Sequence, residues 1–149
     1  MTASGVIAAI PDRRLSQETC RKYNVMVEYN ASGEIAKHIY PYYSTDSDEL
    51  KATKIRHVKT KDFHATGDMT TNVGLFGQQT CRGGGKYITI TEGELDALSV
   101  SEMFERKWDV VSLRNGASSA AKEIKENLDF LEGYDNVVVC FDGDKAGQQ

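Results

Sequence analysis

The segment 86–96, Lys-Tyr-Ile-Thr-Ile-Thr-Glu-Gly-Glu-Leu-Asp, most constrains what this chain can fold into. Residues 87–91 form a β-branched and aromatic run, the pattern of a buried strand. Gly93 permits a tight turn, and 95–105 resumes at helical spacing. Glu92 is therefore expected at the carboxyl end of a strand, where open parallel sheets hold their ligands. A second stretch answers it: residues 136–141 read as another buried strand, followed at once by Asp142-Gly143-Asp144.

Two such strands lying parallel in one sheet bring Glu92, Asp142 and Asp144 to a single edge. Carboxylates at close range repel one another, and a hard divalent cation relieves that repulsion. Mg2+ (or Mn2+) fits, because magnesium binds through one or two carboxylates and completes its shell with water and phosphate oxygens. That set suits phosphoryl or nucleotidyl transfer. A haloacid-dehalogenase-type phosphatase has a similar Asp-x-Asp, but on the opening strand of its fold. Here the pair stands at the far end, before Lys145-Ala146-Gly147.

The rest of the chain supplies the frame. A short helix is expected over 13–23, with Ser16 as N-cap and Leu15 and Cys20 as a hydrophobic staple. Residues 25–29 and 34–40 flank a turn and read as a hairpin, with Pro41 closing the second strand or marking an edge. Residues 45–49 read as a solvent loop, 54–58 as a strand, and 63–72 as irregular with a turn at Gly67. Leu75-Phe76-Gly77 is an apolar anchor. The glycine cluster 83–85 lacks the spacing of a phosphate loop and reads as a turn. Leu95, Leu98, Val100, Met103 and Phe104 are expected to cover one sheet face. A strand over 108–113, a loop with capping residues over 114–119, and a helix over 120–131 follow. Strand, helix, strand, helix, strand at this spacing implies an α/β fold with parallel crossovers.

At 149 residues the chain has room for one domain, or two small lobes. No apolar run approaches the length of a membrane span, and the start lacks a basic region followed by a long apolar stretch. Cys20, Cys81 and Cys140 have no zinc or disulfide spacing, which favours a cytoplasmic setting. The net charge of −4 hides one local basic track, in which Lys51, Lys54, Arg56, Lys59 and Lys61 face a single Asp62. His38, His57 and His64 have no nucleophile motif around them.

Assembled, these residues resemble the TOPRIM domain of primases, topoisomerases and some nucleases, with one Glu after the first strand and Asp-x-Asp after the third. The likeness is nearer to the primase part of phage primase-helicase fusions and their mitochondrial helicase relatives. It is carried by 75–77, by Thr91-Glu92-Gly93-Glu94-Leu95-Asp96, by 112–122, and by Phe141-Asp142-Gly143-Asp144-Lys145-Ala146-Gly147. It extends back through 15–20 and through the basic track to 63–67.

The resemblance implies an α/β, TOPRIM-type parallel sheet flanked by helices (75–149) after a small α+β N-terminal lobe (1–74), with single-stranded template passing between them. It implies a DNA-dependent RNA primase that makes short RNA primers from ribonucleoside triphosphates, attached to a replicative helicase, in the host cytoplasm if phage-encoded. Glu92, Asp142 and Asp144 would be the catalytic and metal-holding acids, with Glu94 and Asp96 in support. Lys54, Arg56, Lys59 and Lys61 would contact triphosphate or template. A TOPRIM nuclease and a non-catalytic single-stranded DNA-binding module are the alternatives. No ligands for a template-reading zinc module and no helicase phosphate loop are present. TOPRIM domains continue past Asp-x-Asp into a further helix and strand. The expectation is thus a C-terminally incomplete lobe that folds but makes few or no primers alone.

Overall fold

A four-stranded antiparallel sheet and a three-stranded parallel sheet organise the chain. The computed structural model describes residues 5–45, 47, 49–69, 72–81 and 83–141. Two compact units result, Met1–Val73 and Gly74–Gln149.

In the first unit, Pro11–Arg13 makes a single 3-10 turn, closed by Arg14 in the left-handed region at φ 57°. The helix expected from residue 13 therefore cannot pass through Arg14, and α1 spans Gln17–Tyr23. Ser16 caps it, its hydroxyl accepting from the Thr19 N–H at 3.3 Å. Leu15 and Cys20, flanking that cap, are both buried.

The strands β1 (Met26–Tyr29), β2 (Ile35–Tyr43), β3 (Leu50–His57) and β4 (Phe63–Gly67) form a meander in that order. Pro41 does not end β2. The ladder with β1 stops at Met26 opposite Ile39, so β2 has a sheet partner on one side only at Pro41, opposite Thr53. A missing N–H is tolerated there. Residues 63–67, expected to be irregular, are a strand. Their side chains are too polar to show alternation, and β4 is held by its ladder to β3 and by the Thr53–Thr66 hydroxyl pair at 2.6 Å. Gly67 has φ 86°, and a Cβ there would stand 2.4 Å from the Lys51 carbonyl oxygen, so only glycine fits. Cys20, Tyr23, Val25, Val27, Tyr40 and Tyr42 are fully buried in this unit.

The second unit is α/β, with strand order β6-β5-β7, all parallel. Here β5 is Gly85–Thr91, β6 Asp109–Ser112 and β7 Tyr134–Cys140. Ile88, Ile90, Val111 and Leu113 pack with Leu75, Leu131 and Tyr134, against Ile124 and Phe130. The helix α2 (Glu94–Met103) buries Glu94, Ala97, Leu98 and Ser101, an i, i+3, i+4, i+7 stripe. Met103 and Phe104, expected to cover the sheet, are 72% and 48% exposed. Small residues at the buried positions carry no hydrophobic signal, which is why the larger neighbours mislead. The second expected helix is broken into α3 (Ala120–Glu126) and α4 (Leu128–Leu131) at Asn127, whose side-chain amide donates to the Glu123 carbonyl at 2.8 Å. The strand β7 pairs as expected, but it is not buried: Val137, Val138 and Val139 are 41–51% exposed on an edge strand.

Candidate active site

Because β5 is central, its carboxyl end is flanked on both sides. Thr91 stands opposite Ser112 of β6 and Cys140 of β7. Its hydroxyl donates to the Gly93 carbonyl at 3.1 Å or the Val111 carbonyl at 3.3 Å, and its own carbonyl accepts from the Leu113 N–H at 3.1 Å. The residue that follows this anchored position is Glu92, half-buried at the carboxyl edge.

Gly93 caps α2 in an extended conformation, φ −133°, and a Cβ there would meet only Asp96 Oδ2 at 3.6 Å. The turn expected at Gly93 is thus made without glycine's left-handed freedom. Glu94 and Asp96 lie in the first turn of α2, where the exposed helix N–H groups favour negative charge. Glu94 is only 4% exposed and is committed to the interior, whereas Glu92 stays at the edge.

The strand β7 brings the chain to Cys140, level with Thr91, and Phe141 then packs against the core. Asp142 and Asp144 lie outside the described residues. Among the described residues no three His, Cys, Asp or Glu side chains gather as a metal site. The donor at the edge, a carboxylate at the mouth of a parallel sheet, is chemically suited to a hard cation such as magnesium.

The basic residues of the first unit differ in burial and position. Lys54 and Arg56 share a face of β3, opposite Tyr40 and His38 on β2 and Ala65 and Phe63 on β4. The Lys54 ammonium lies 4.8 Å from the Phe63 ring centroid. Arg56 is 8% exposed, so most of its side chain is buried. Beside it, burial first and then the Arg56 and Arg13 charges push the His38 imidazole down to about 4. Lys59 is exposed on the rim of an open groove of about 840 Å³ lined by Tyr29, Glu34 and Val58. Lys61, also exposed, sits at φ 64° in the β3–β4 turn.

One cluster escapes sequence reading. The loop after β6 is tied to α3 through Arg114, Asn115, Ser119 and Glu123, with Glu126 on the outer side of Arg114. The only sequence trace is Glu123 four residues after Ser119, one position too late for a capping box.

A parallel sheet with an acid after its central strand is the arrangement of a Toprim-like domain, and residues 89–149 match the Toprim-like family model. Residues 5–67 match the model described as bacteriophage T7 DNA helicase/primase, N-terminal a+b fold. The chain belongs to the phage T7-type DNA helicase/primase family. It is 33% identical to the DNA helicase/primase of Enterobacteria phage T3, with 99% of this chain aligned to 25% of that protein. The primase fragment of the bacteriophage T7 primase-helicase superposes with a TM-score of 0.87 at 33% identity, over 98% of this chain and 59% of that one. A structure of the T7 lagging-strand DNA polymerase with primase domains of two gp4 subunits, an RNA/DNA hybrid and dTTP gives 0.85 at 33% identity. There the match covers 98% of this chain and 71% of the other. The chain thus spans a quarter of the T3 relative's length and about three-fifths of the T7 fragment.

Proposed function

We propose that this chain is the RNA-polymerising part of a phage-type primase, building short RNA primers on single-stranded DNA for a replication machine in the host cytoplasm. The observation that carries this reading is the placement of Glu92 on the carboxyl edge of a Toprim-like sheet, in a chain alignable with phage primases over nearly its whole length.

Glu92, Asp142 and Asp144 are the residues that would hold magnesium. Bound there, the ion would stabilise developing charge on the phosphoryl group and the leaving pyrophosphate. The chain's own contribution is orientation. The Thr91 hydroxyl, with two carbonyl acceptors, pins the turn that carries Glu92, so this acid needs little reorganisation as charge develops. Lys54, Lys59 and Lys61 would contact phosphates of template or ribonucleoside triphosphate, whereas burial makes Arg56 a weaker candidate for that role. Membership in a helicase–primase family supports a replicative helicase as the working partner. No described helix is long and apolar enough to cross a membrane.

The test is to incubate the chain with single-stranded DNA, magnesium and labelled ribonucleotides, and separately with labelled DNA alone. New oligoribonucleotides would mark a primase. Shortened DNA would instead mark a nuclease, and a mobility shift without either product a binding module.

A further inference from the structure

Glu123 lies in α3 and is 1% exposed. A carboxylate taken so far from water must be well supplied with donors, and all of these come from one loop. Oε1 accepts from the backbone N–H of Arg114 at 2.5 Å and from Arg114 Nε at 3.3 Å. Oε2 accepts from the backbone N–H of Asn115 at 3.0 Å and from the Ser119 hydroxyl at 2.6 Å. The Arg114 guanidinium, itself almost wholly buried, reaches outward to Glu126 Oε1 at 2.7 Å.

The location of that loop gives the cluster its meaning. Ser112 is the last residue of β6 and stands opposite Thr91, and Leu113 donates to the Thr91 carbonyl. Arg114 and Asn115 are thus the first residues to leave the sheet at the edge that bears Glu92. Their N–H groups have passed the end of the ladder, and Glu123 supplies their acceptors. Charge-assisted bonds of this kind are about twice as strong as neutral ones. Gly116, at φ 78°, turns the loop, and a Cβ added there would meet nothing within 4 Å. Anchored at its base and open at its tip, the loop has the form of a rigid wall beside the edge where α/β sheets bind ligands.

We propose that Glu123 is a positioning residue, which holds loop 114–119 fixed beside Glu92 as one wall of the ribonucleoside triphosphate site. The identity of the ligand rests on the primase reading; the rigidity of the loop does not. The Arg114 guanidinium bonds both Glu123 and Glu126 and so closes the cluster.

Two readouts on the 149-residue chain test this: amide hydrogen exchange across 113–119, with 85–91 as internal reference, and affinity for ATP with magnesium. Glu123→Gln turns a donor toward groups that need an acceptor. It should speed exchange in 113–119 by about tenfold or more while β5 keeps its protection. The same variant should weaken ATP binding by about fivefold or more, because the wall is no longer preset. Glu123→Asp, which keeps the charge, should recover part of both. If Glu123→Gln costs β5 its protection, Ser119→Ala removes a single donor and should show smaller changes of the same sign. Faster exchange with unchanged ATP affinity would reduce Glu123 to a structural residue, and unchanged exchange would remove even that. A wild-type chain that does not bind ATP with magnesium would sink the primase reading, and the positioning role with it. Tight wild-type binding with an indifferent variant would sink only the positioning role.

Discussion

The Thr91 hydroxyl lies 3.3 Å from the carbonyl of Val111, one residue short of the end of the neighbouring strand, and 3.1 Å from the carbonyl of Gly93. One buried side chain thus joins the ends of two parallel strands to the turn that carries Glu92. Thr91→Val keeps the shape and removes the donor. It should lower stability by about 1 kcal/mol, the net worth of one hydrogen bond, since the Gly93 carbonyl keeps the Ala97 N–H. Primer synthesis should fall by more than that loss of folded protein explains, since the turn is no longer pinned. Urea denaturation and synthesis rate measured on the same preparations separate the two effects.

The acids make a sharper case. On the proposed metal site, Asp142→Asn or Glu92→Gln should abolish phosphoryl transfer and weaken magnesium binding while leaving the fold intact, because each would remove one of several like charges. Far-ultraviolet circular dichroism should be unchanged. Stability measured without magnesium should be equal or slightly higher. Full activity in either variant would contradict the metal-site assignment for that residue.

Much of the second unit is legible in the sequence because β5 and β6 are short runs of β-branched residues. The parallel order follows from the length of the connections. What escapes is whatever leaves no periodic mark. The inner stripe of α2 has only Leu98 as a large apolar residue; Glu94, Ala97 and Ser101 complete it without a hydrophobic signal. The strand β4 is polar and declares itself only through its partner. The Arg114–Glu123 cluster joins loop backbone to a helix side chain, a tertiary interaction that local patterning does not encode. Val137, Val138 and Val139 look like core in sequence, and among the described residues they stand exposed on an edge strand. A β-branched run reports strand propensity and says nothing of what lies over it.

The basic residues divide by burial, and their variants should divide likewise. Lys54→Ala and Lys61→Ala should weaken binding of single-stranded DNA and reduce the slope of log affinity against log salt by about 0.7 for each phosphate no longer neutralised. Arg56→Ala removes a side chain that is only 8% exposed. It should show up first as a lower melting temperature, with any change in salt slope smaller than that for Lys54→Ala. Identical salt slopes in wild type and in the Lys54→Ala, Lys61→Ala double variant would return these lysines to the status of a solvated face.

His38 gives the fold a pH dependence whose sign is fixed by its surroundings. It is 2% exposed on β2, opposite Val27 and Arg56, with Nδ1 3.1 Å from the Tyr40 hydroxyl. Burial, then the Arg56 and Arg13 charges, hold its pKa at about 4 against 6.5 for a free imidazole. The neutral ring belongs to the folded state, and the unfolded chain takes up the proton more readily. The resulting stability is complete above pH 6.5 and is lost as pH falls toward 4. Between pH 7.5 and 5 the loss from this one group should be about 2 kcal/mol. His38→Gln keeps a hydrogen-bonding side chain for Tyr40 and cannot titrate. It should therefore be less stable than wild type at pH 7.5, and the gap should narrow by pH 5. Urea midpoints at the two pH values decide it, because the carboxylates that also respond to acid are common to both proteins and cancel in the difference. Parallel losses in wild type and variant would mean that His38 takes up its proton without disturbing the fold.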